Sequence, residues 1–271
     1  MRGTVKLDPA KKDALLDFLL PAAAVAGFVA IWSLSVHLFE IPHYLLPPPE
    51  KVIVEVVRRW DILYPNALVT IQEIFIGFFT SILIAVPLSM AIVTNRTLER
   101  MILPLLVMSQ SIPKVAVAPL FVVWLGFGLL PKVAVTFLIA FFPILIATVT
   151  GLKSVESDML DLVKSMGGTN RQIMWRVRAP HALPQFFSGV KISICLAVVG
   201  AIVGEFVASD RGLGFLLITA TGDLDGRLLY STLLILIAVG VTLFGAVCYI
   251  EKLALPWHVS VRSQEEALWQ A

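Results

Sequence analysis

Residues 66–93 read NALVTIQEIFIGFFTSILIAVPLSMAIV, and this stretch decides the fold class. It contains a single charged side chain, that of Glu73. At 1.5 Å per residue a helix of this length extends about 42 Å, which exceeds the ~30 Å hydrocarbon core of a bilayer. A helix also satisfies every backbone N–H and C=O group within the segment, as lipid requires. The stretch therefore predicts a membrane-spanning helix.

Five further apolar runs predict an all-α, polytopic membrane protein with six transmembrane helices. They cover residues 18–39, 101–127, 131–151, 186–207 and 229–250. The composition agrees, because only 15% of the residues are charged, against roughly 25% in soluble domains. The first run is longer than the about 7–15 residues of a signal-peptide core, so we expect it to be retained. The net charge of +2 gives no indication of nucleic-acid binding.

The distribution of lysine and arginine predicts the orientation of these spans. With the N-terminus inside, the inner segments hold four of these residues before the first span, two after the second, five after the fourth and two after the last. The outer segments hold six, namely Lys51, Arg58, Arg59, Lys132, Arg211 and Arg227. This bias predicts cytoplasmic termini. We therefore expect a transmembrane domain at 18–250 between cytoplasmic segments 1–17 and 251–271.

The long inner segment 153–185 contains two predicted amphipathic helices. Ser157 can cap the first helix, and Met159, Leu162, Val163 and Met166 recur on one of its faces. Gly167 and Gly168 end it. Thr169 and Gln172 form a capping box for the second helix, which we expect to end at Pro180 and Pro184. We expect the apolar stripe to be covered by a partner protein, by the protein's own inner surface or by the lipid interface. The sequence pattern does not decide among these three alternatives.

The stretch DLVKSMG (161–167), followed by Ile173 and by Ala179 and Pro180, resembles the "EAA" loop of binding-protein-dependent ABC importer permeases. It departs from the family pattern at four positions. Asp161 stands where the family has glutamate, Leu162 and Val163 stand in place of two alanines, and Ala179 stands in place of leucine. In the family this loop is the coupling helix that docks on the ATPase subunit. The resemblance therefore implies ATPase contacts from these coupling residues: Asp161, Leu162, Val163, Met166, Gly167, Arg171 and Pro180.

Further motifs resemble the nitrate, sulfonate, taurine and bicarbonate branch of that family, which includes relatives that import thiamine-precursor pyrimidines and riboflavin. They are LPPP (46–49), SQSIP (109–113), APLFVVWLG (118–126), GEFVASDRGLG (204–214) and PWH (256–258). The resemblance implies a type I ABC importer-like permease in the bacterial inner membrane. Its implied partners are a second permease copy, ATPase subunits, and a periplasmic or lipid-anchored solute-binding protein. The solute could be a small anion or a heteroaromatic compound.

The chain has no G-x-x-x-x-G-K-[ST] motif to hold phosphates. We therefore expect no cofactor in this chain, with ATP and Mg²⁺ bound by the partner ATPase. No catalytic constellation and no cluster with metal-ligand spacing is evident, which disfavours a membrane-embedded enzyme. A stand-alone channel or secondary transporter is the main rival class, and it would need no coupling loop.

Charged residues inside spans are candidates for the translocation path. Lys114 lies about 20 Å from the inner end of its span and Glu73 about 10 Å from the outer end of its own, so the two could pair. Alternatively, Lys114 contributes to the path with Ser109, Gln110 and Ser111. We expect Lys191 and Glu205 to extend to the membrane interfaces. Arg211, Gly212 and Gly214 are expected in an outer turn, or in a docking surface if the family resemblance holds.

Overall fold

The computed structural model describes residues 9–256, with side chains at 19–106, 108–207 and 209–256. The segments 1–8 and 257–271 lie outside the described residues, and with them most of the predicted cytoplasmic termini and the last two residues of the PWH motif. Eleven α-helices follow one another along the described chain. They are α1 (Pro9–Leu38), α2 (Pro49–Arg58), α3 (Trp60–Thr94), α4 (Arg96–Gln110), α5 (Ala118–Leu125), α6 (Leu129–Lys153), α7 (Ser157–Ser165), α8 (Asn170–Ile173), α9 (Ala179–Ala208), α10 (Leu213–Gly222) and α11 (Gly226–Ala254).

The described helices confirm the prediction of an all-α polytopic protein. Five of them, α1, α3, α6, α9 and α11, are long and apolar enough to cross a membrane. A sixth span results if α4 is counted together with the residues from Lys114 to Leu125. The end of the bundle predicted to face the cytoplasm is called the inner end, and the opposite end is called the outer end.

The sixth span differs from the single apolar helix predicted at 101–127, because it bends by 91°. The break falls at residues 111–113, and a 3₁₀ turn from Lys114 to Val117 leads into α5. Pro113 has no backbone N–H to donate to the preceding turn, which favours a break at this position. Pro104 and Pro143 lie inside α4 and α6 without ending those helices.

The core of the bundle lies between α3, α6 and α9. Small residues allow their backbones to approach closely, as is typical of packing between membrane helices. A Cβ atom added at Gly77 of α3 would lie 2.5 Å from Thr136 Cγ2, and one added at Gly200 of α9 would lie 2.7 Å from Thr136 Cα. Ser81 of α3 and Ser193 of α9 each donate a hydrogen bond to a backbone carbonyl of α6. These contacts make α3, α6 and α9 one closely packed unit.

The outer end contains two short helices that hydropathy alone did not predict. α2 precedes α3, and α3 begins at Trp60, six residues before the predicted start of the span. The predicted outer segment 208–228 contains α10, whose residues Leu213, Leu216 and Leu217 are buried. A ten-residue helix extends only about 15 Å, so α10 covers about half the thickness of the hydrocarbon core.

Candidate translocation path and coupling loop

The inner segment between α6 and α9 forms the predicted pair of helices. α7 ends at Ser165 and is capped by Met166. Gly167 follows with a φ of +81°, a conformation in which glycine avoids the strain of a side chain. Thr169 and Gln172 form both hydrogen bonds of the predicted capping box. Ser157 does not cap α7, because Glu156 occupies the N-cap position and makes no capping bond with its side chain.

The prediction that Pro180 and Pro184 end the second helix is wrong. α8 continues through a π-helical turn, Met174–Arg178, directly into α9. Pro180 lies in the first turn of α9, and Pro184 lies inside the helix. The π turn changes the hydrogen-bond register before the prolines, and such local adjustments accommodate proline in membrane helices.

The coupling loop is anchored at α8 and exposed at α7. Ile173 and Met174 are buried, and Met174 packs with Leu152 and Ala182 from the ends of α6 and α9. On α7, by contrast, Leu162 is 61% exposed and Met166 is 78% exposed. The apolar stripe therefore does not pack on the protein's own inner surface, which removes one of the three alternatives. An exposed apolar stripe on a helix is typical of a docking surface.

The remaining predicted coupling residues lie apart from one another. Asp161 is exposed and pairs with Lys164, with 3.0 Å between Lys164 Nζ and Asp161 Oδ1. Arg171 is exposed on α8, and Val163 is half-buried against the glycine elbow. Pro180 lies beyond the loop, in α9. The structure therefore presents Asp161, Leu162 and Met166 on α7, and it separates them from Pro180.

The hypothesis that Glu73 pairs with Lys114 is wrong. Glu73 is completely buried, and its Oε1 lies 2.5 Å from Nζ of Lys132. Neither Glu73 oxygen has an oriented hydrogen bond, so the ion pair is the contact that compensates its charge. The sequence did not predict Lys132 as the partner, because this residue was counted among the outer segments. In the structure α6 begins at Leu129, and Lys132 is only 5% exposed.

Lys114 lies instead against an aromatic ring at the bend of the broken span. Its Nζ is 5.1 Å from the centroid of the Phe142 ring, within the range of a cation–π interaction. Among the residues that the structure describes, none forms an ion pair with Lys114. An ammonium group inside a span without an acidic partner is a candidate contact for a solute.

Two adjoining clefts open at this bend. The first has a volume of about 420 Å³ and is lined by Gln110, Lys114, Val115, Ile139, Phe142, Pro143, Ile146, Leu196 and Val199. The second, about 680 Å³, runs from Gln110 towards Lys153 and Ser154 at the inner end. Of the five predicted path residues, Gln110 and Lys114 line these clefts. Ser109 donates its hydroxyl to the Leu106 carbonyl, Ser111 is exposed at the break, and Glu73 is buried elsewhere.

Glu205 is buried instead of extending to an interface as predicted. Lys191 pairs with Glu251 of α11 at 2.8 Å. Glu205 is 1% exposed and accepts hydrogen bonds from the Thr70 hydroxyl at 2.6 Å and from the Gly214 backbone N–H. A Cβ atom at Gly212 would overlap the Glu205 carboxyl group. The glycines at 212 and 214 are therefore needed for the chain to turn around this carboxyl group, and since both are buried they form no docking surface.

The bundle of long apolar helices and its exposed two-helix loop define a multi-pass membrane protein. Residues 77–253, more than half of the chain, match the binding-protein-dependent transport system inner membrane component family, and the chain belongs to this family. A structure of the inward-facing MetNI methionine ABC transporter has a similar fold, with a TM-score of 0.63 and 20% sequence identity over 71% of this chain and 95% of that chain.

Curated relatives agree with this assignment. The formylaminopyrimidine transport permease protein ThiX of Halalkalibacterium halodurans is 38% identical, covering 88% of this chain and 96% of the relative. The riboflavin transport system permease protein RibX of Chloroflexus aurantiacus is 37% identical over 86% of this chain and 87% of the relative. The taurine transport system permease protein TauC of Escherichia coli is 24% identical over 90% and 91%, respectively.

The chain is thus a permease subunit of an ABC importer for a small solute, a multi-pass inner-membrane protein and not itself an enzyme. Membership of the family implies an ATPase and a binding protein as partners. The rival interpretations as a stand-alone channel, a secondary transporter or a membrane enzyme do not fit this family.

Proposed function

We propose that this permease carries a small heteroaromatic solute of the aminopyrimidine class. The observation that carries the proposal is the cleft at the broken span, where the Lys114 ammonium lies over the Phe142 ring. Seven of the nine lining residues are apolar, and Gln110 and Lys114 are the two polar ones. A flat ring can stack on Phe142 and accept hydrogen bonds from Lys114 and Gln110.

The same lining suits a small inorganic anion less well. Nitrate or bicarbonate has polar atoms on every side, and burying them against apolar walls without hydrogen bonds is costly. The relatives named for formylaminopyrimidine and riboflavin are also more similar to this chain than the one named for taurine. An anion remains the second candidate, because the Lys114 ammonium has no acidic partner among the described residues.

Uptake by the complete transporter, reconstituted in proteoliposomes with its ATPase and binding protein, tests this assignment. We expect labelled formylaminopyrimidine to enter in an ATP-dependent manner. Exchange of Phe142 for leucine or of Lys114 for methionine should lower uptake by about tenfold or more, as removal of a stacking or charged contact does. The matched control is Phe127→Leu, since Phe127 is 82% exposed and lies outside the clefts. Uptake of taurine or nitrate, without uptake of the pyrimidine, would overturn the solute class.

We further infer that α7 is the ATPase-docking element, that two copies of this chain enclose the path, and that the termini are cytoplasmic. The exposed stripe of α7 supports the first inference. The second is supported by the clefts, which lie on the surface of the single chain and need a further wall to enclose a solute. ATP and Mg²⁺ would be held by the ATPase, whose closure would push on α7 and reorient the bundle around the path.

Capture of the ATPase tests the docking role of α7. Because Leu162 is exposed, its exchange for aspartate should leave the permease folded and reduce the ATPase that co-purifies with it. Leu45→Asp is the control, since Leu45 has almost the same exposure, 63%, near the outer end. Equal ATPase capture by both variants would exclude α7 as the docking surface. The mass of the purified complex distinguishes one permease copy from two.

A further inference from the structure

α10 runs beside the outer part of α3. It begins in the buried interior of the bundle and ends at the outer end. At the start of α10, the Leu213 N–H donates a hydrogen bond to Thr70 Oγ1 at 2.8 Å. Just beyond its end, Asp225 pairs with Arg59 at 2.8 Å. From Arg59 to Thr70 a helix rises about 16 Å, and the ten residues of α10 extend about 15 Å. The two helices therefore lie side by side over the whole length of α10.

The packing between these two ends is continuous. Leu216 and Ala220 of α10 are buried together with Leu63 of α3 and Leu228 of α11. α10 is thus supported along its length and cannot move separately from α3 without exposing this cluster.

The buried end of α10 is held by side chains of α3 and α9. Three consecutive backbone N–H groups donate to them: that of Gly212 to Asn66 Oδ1 at 2.6 Å, that of Leu213 to Thr70, and that of Gly214 to Glu205. The first N–H groups of a helix have no partner within the helix, and a carboxylate near them is favourable. Asn66, Thr70 and Glu205 therefore cap three N–H groups at the start of α10.

α6 is joined to the same network through Lys132. Its ammonium pairs with Glu73 of α3 and donates to Ser209 Oγ at 3.0 Å, in the turn that precedes α10. Separating α6 from α3 would leave a carboxyl and an ammonium group unpaired in an apolar interior, which is strongly unfavourable. The outer halves of α3, α6 and α9 and the start of α10 are therefore expected to move as one body.

This body reaches the coupling loop at the opposite end of the membrane. α6 and α9 flank the loop directly, and they touch along their length: a Cβ atom at Gly189 would lie 2.5 Å from Ala147 Cβ. At the outer end, the turn after α10 is exposed, with Leu224 in a left-handed conformation and 70% exposed. A continuous packed route thus leads from this turn, through α10 and Thr70, to the helices that hold α7.

We propose that α10 is a strut that transmits docking of the external binding protein at the turn 223–225 to α6 and α9, and through them to the ATPase-facing loop. Thr70 is its central positioning residue, because its hydroxyl accepts from Leu213 and donates to Glu205. The proposal rests on the proposed function, since it requires a binding protein and an ATPase that is stimulated by docking.

The test is the ATPase rate of the reconstituted complex with and without solute-loaded binding protein. Thr70→Val keeps the shape of the side chain and removes both hydrogen bonds. We expect the ratio of stimulated to basal rate to fall at least about fivefold, the lower end of typical allosteric coupling, while the basal rate is unchanged. Thr242→Val is the matched control, since the Thr242 hydroxyl bonds only to Ala238 of its own helix, and its ratio should equal that of the wild type.

A second variant separates transmission from folding. Asn66→Ala removes the hydrogen bond to Gly212 at a half-buried position, and it should lower the ratio in the same direction while the melting temperature falls by only about 2–4 °C. If folded Thr70→Val and Asn66→Ala complexes both retain the wild-type ratio, α10 is not a strut. If the wild-type complex itself is not stimulated by any solute-loaded binding protein, the proposed function fails, and the strut fails with it.

Discussion

Exchange of Lys132 for methionine would leave Glu73 without its partner in the interior of the bundle. Glu73 has no exposed surface, and Lys132 is the only cation paired with it among the described residues, whereas its other charged neighbour is the carboxyl group of Glu205. Removing one partner of a buried ion pair costs about 3–5 kcal/mol. The lost hydrogen bond to Ser209 adds about 1 kcal/mol. At roughly 2–4 °C per kcal/mol for a protein of about this size, the melting temperature should fall by roughly 10–20 °C.

Thermal unfolding of the detergent-solubilised permease measures this loss. The double variant Glu73→Gln with Lys132→Met removes both charges of this pair, and we expect it to recover at least half of the lost stability, because the neighbouring Glu205 carboxyl group keeps its hydrogen bonds from Thr70 and Gly214. Glu73→Gln with Lys114→Met should be no more stable than Glu73→Gln alone, since Lys114 lies over the Phe142 ring rather than at Glu73. The reasoning is refuted if Lys132→Met unfolds at the wild-type temperature, or if the double variant is no more stable than the Lys132→Met single variant.

Two further predictions concern packing and orientation. Gly77→Ala should destabilise the permease by about 1–3 kcal/mol through overpacking against Thr136. Gly245→Ala is the control and should not destabilise it, since the space around its Cβ is open. Equal melting temperatures of the two variants would contradict the close approach of α3 and α6. In a background without the two native cysteines, a membrane-impermeant thiol reagent added to intact cells should label cysteine at position 45 and not at position 166, and the reverse pattern would invert the proposed orientation.

Much of the fold could be predicted because its signals are local. A run of apolar residues long enough to cross the bilayer needs no knowledge of its neighbours, and neither does the glycine elbow at Gly167 or the capping box of Thr169 and Gln172. The predicted helix end at Pro180 was wrong for a related reason. Proline weakens a helix locally, but a π-helical turn just before it preserves the continuity of α9, and this adjustment has no sequence signature of its own.

The candidate site was predictable in part. Hydropathy singled out Lys114 because a charge inside a span is costly, and the structure places it with Gln110 at the bend, lining a cleft. The partner of Glu73 was not predictable in this way. Depth along a helix can be counted from the sequence, but the direction in which a side chain points depends on how the helices rotate against each other. Depth therefore favoured Lys114, whereas Lys132 was counted with the outer segments.

By itself the sequence determined the helical membrane class, five of the spans and the paired helices of the coupling loop, because each depends on the solvation or capping of one segment. Only the tertiary structure decided that Glu73 belongs with Lys132, that Gly212 and Gly214 turn around Glu205, and that α10 returns into the bundle beside α3. These features depend on contacts between residues far apart in the chain. In an apolar interior each buried polar group is stable only with a partner, and packing of the whole bundle selects which partner that is.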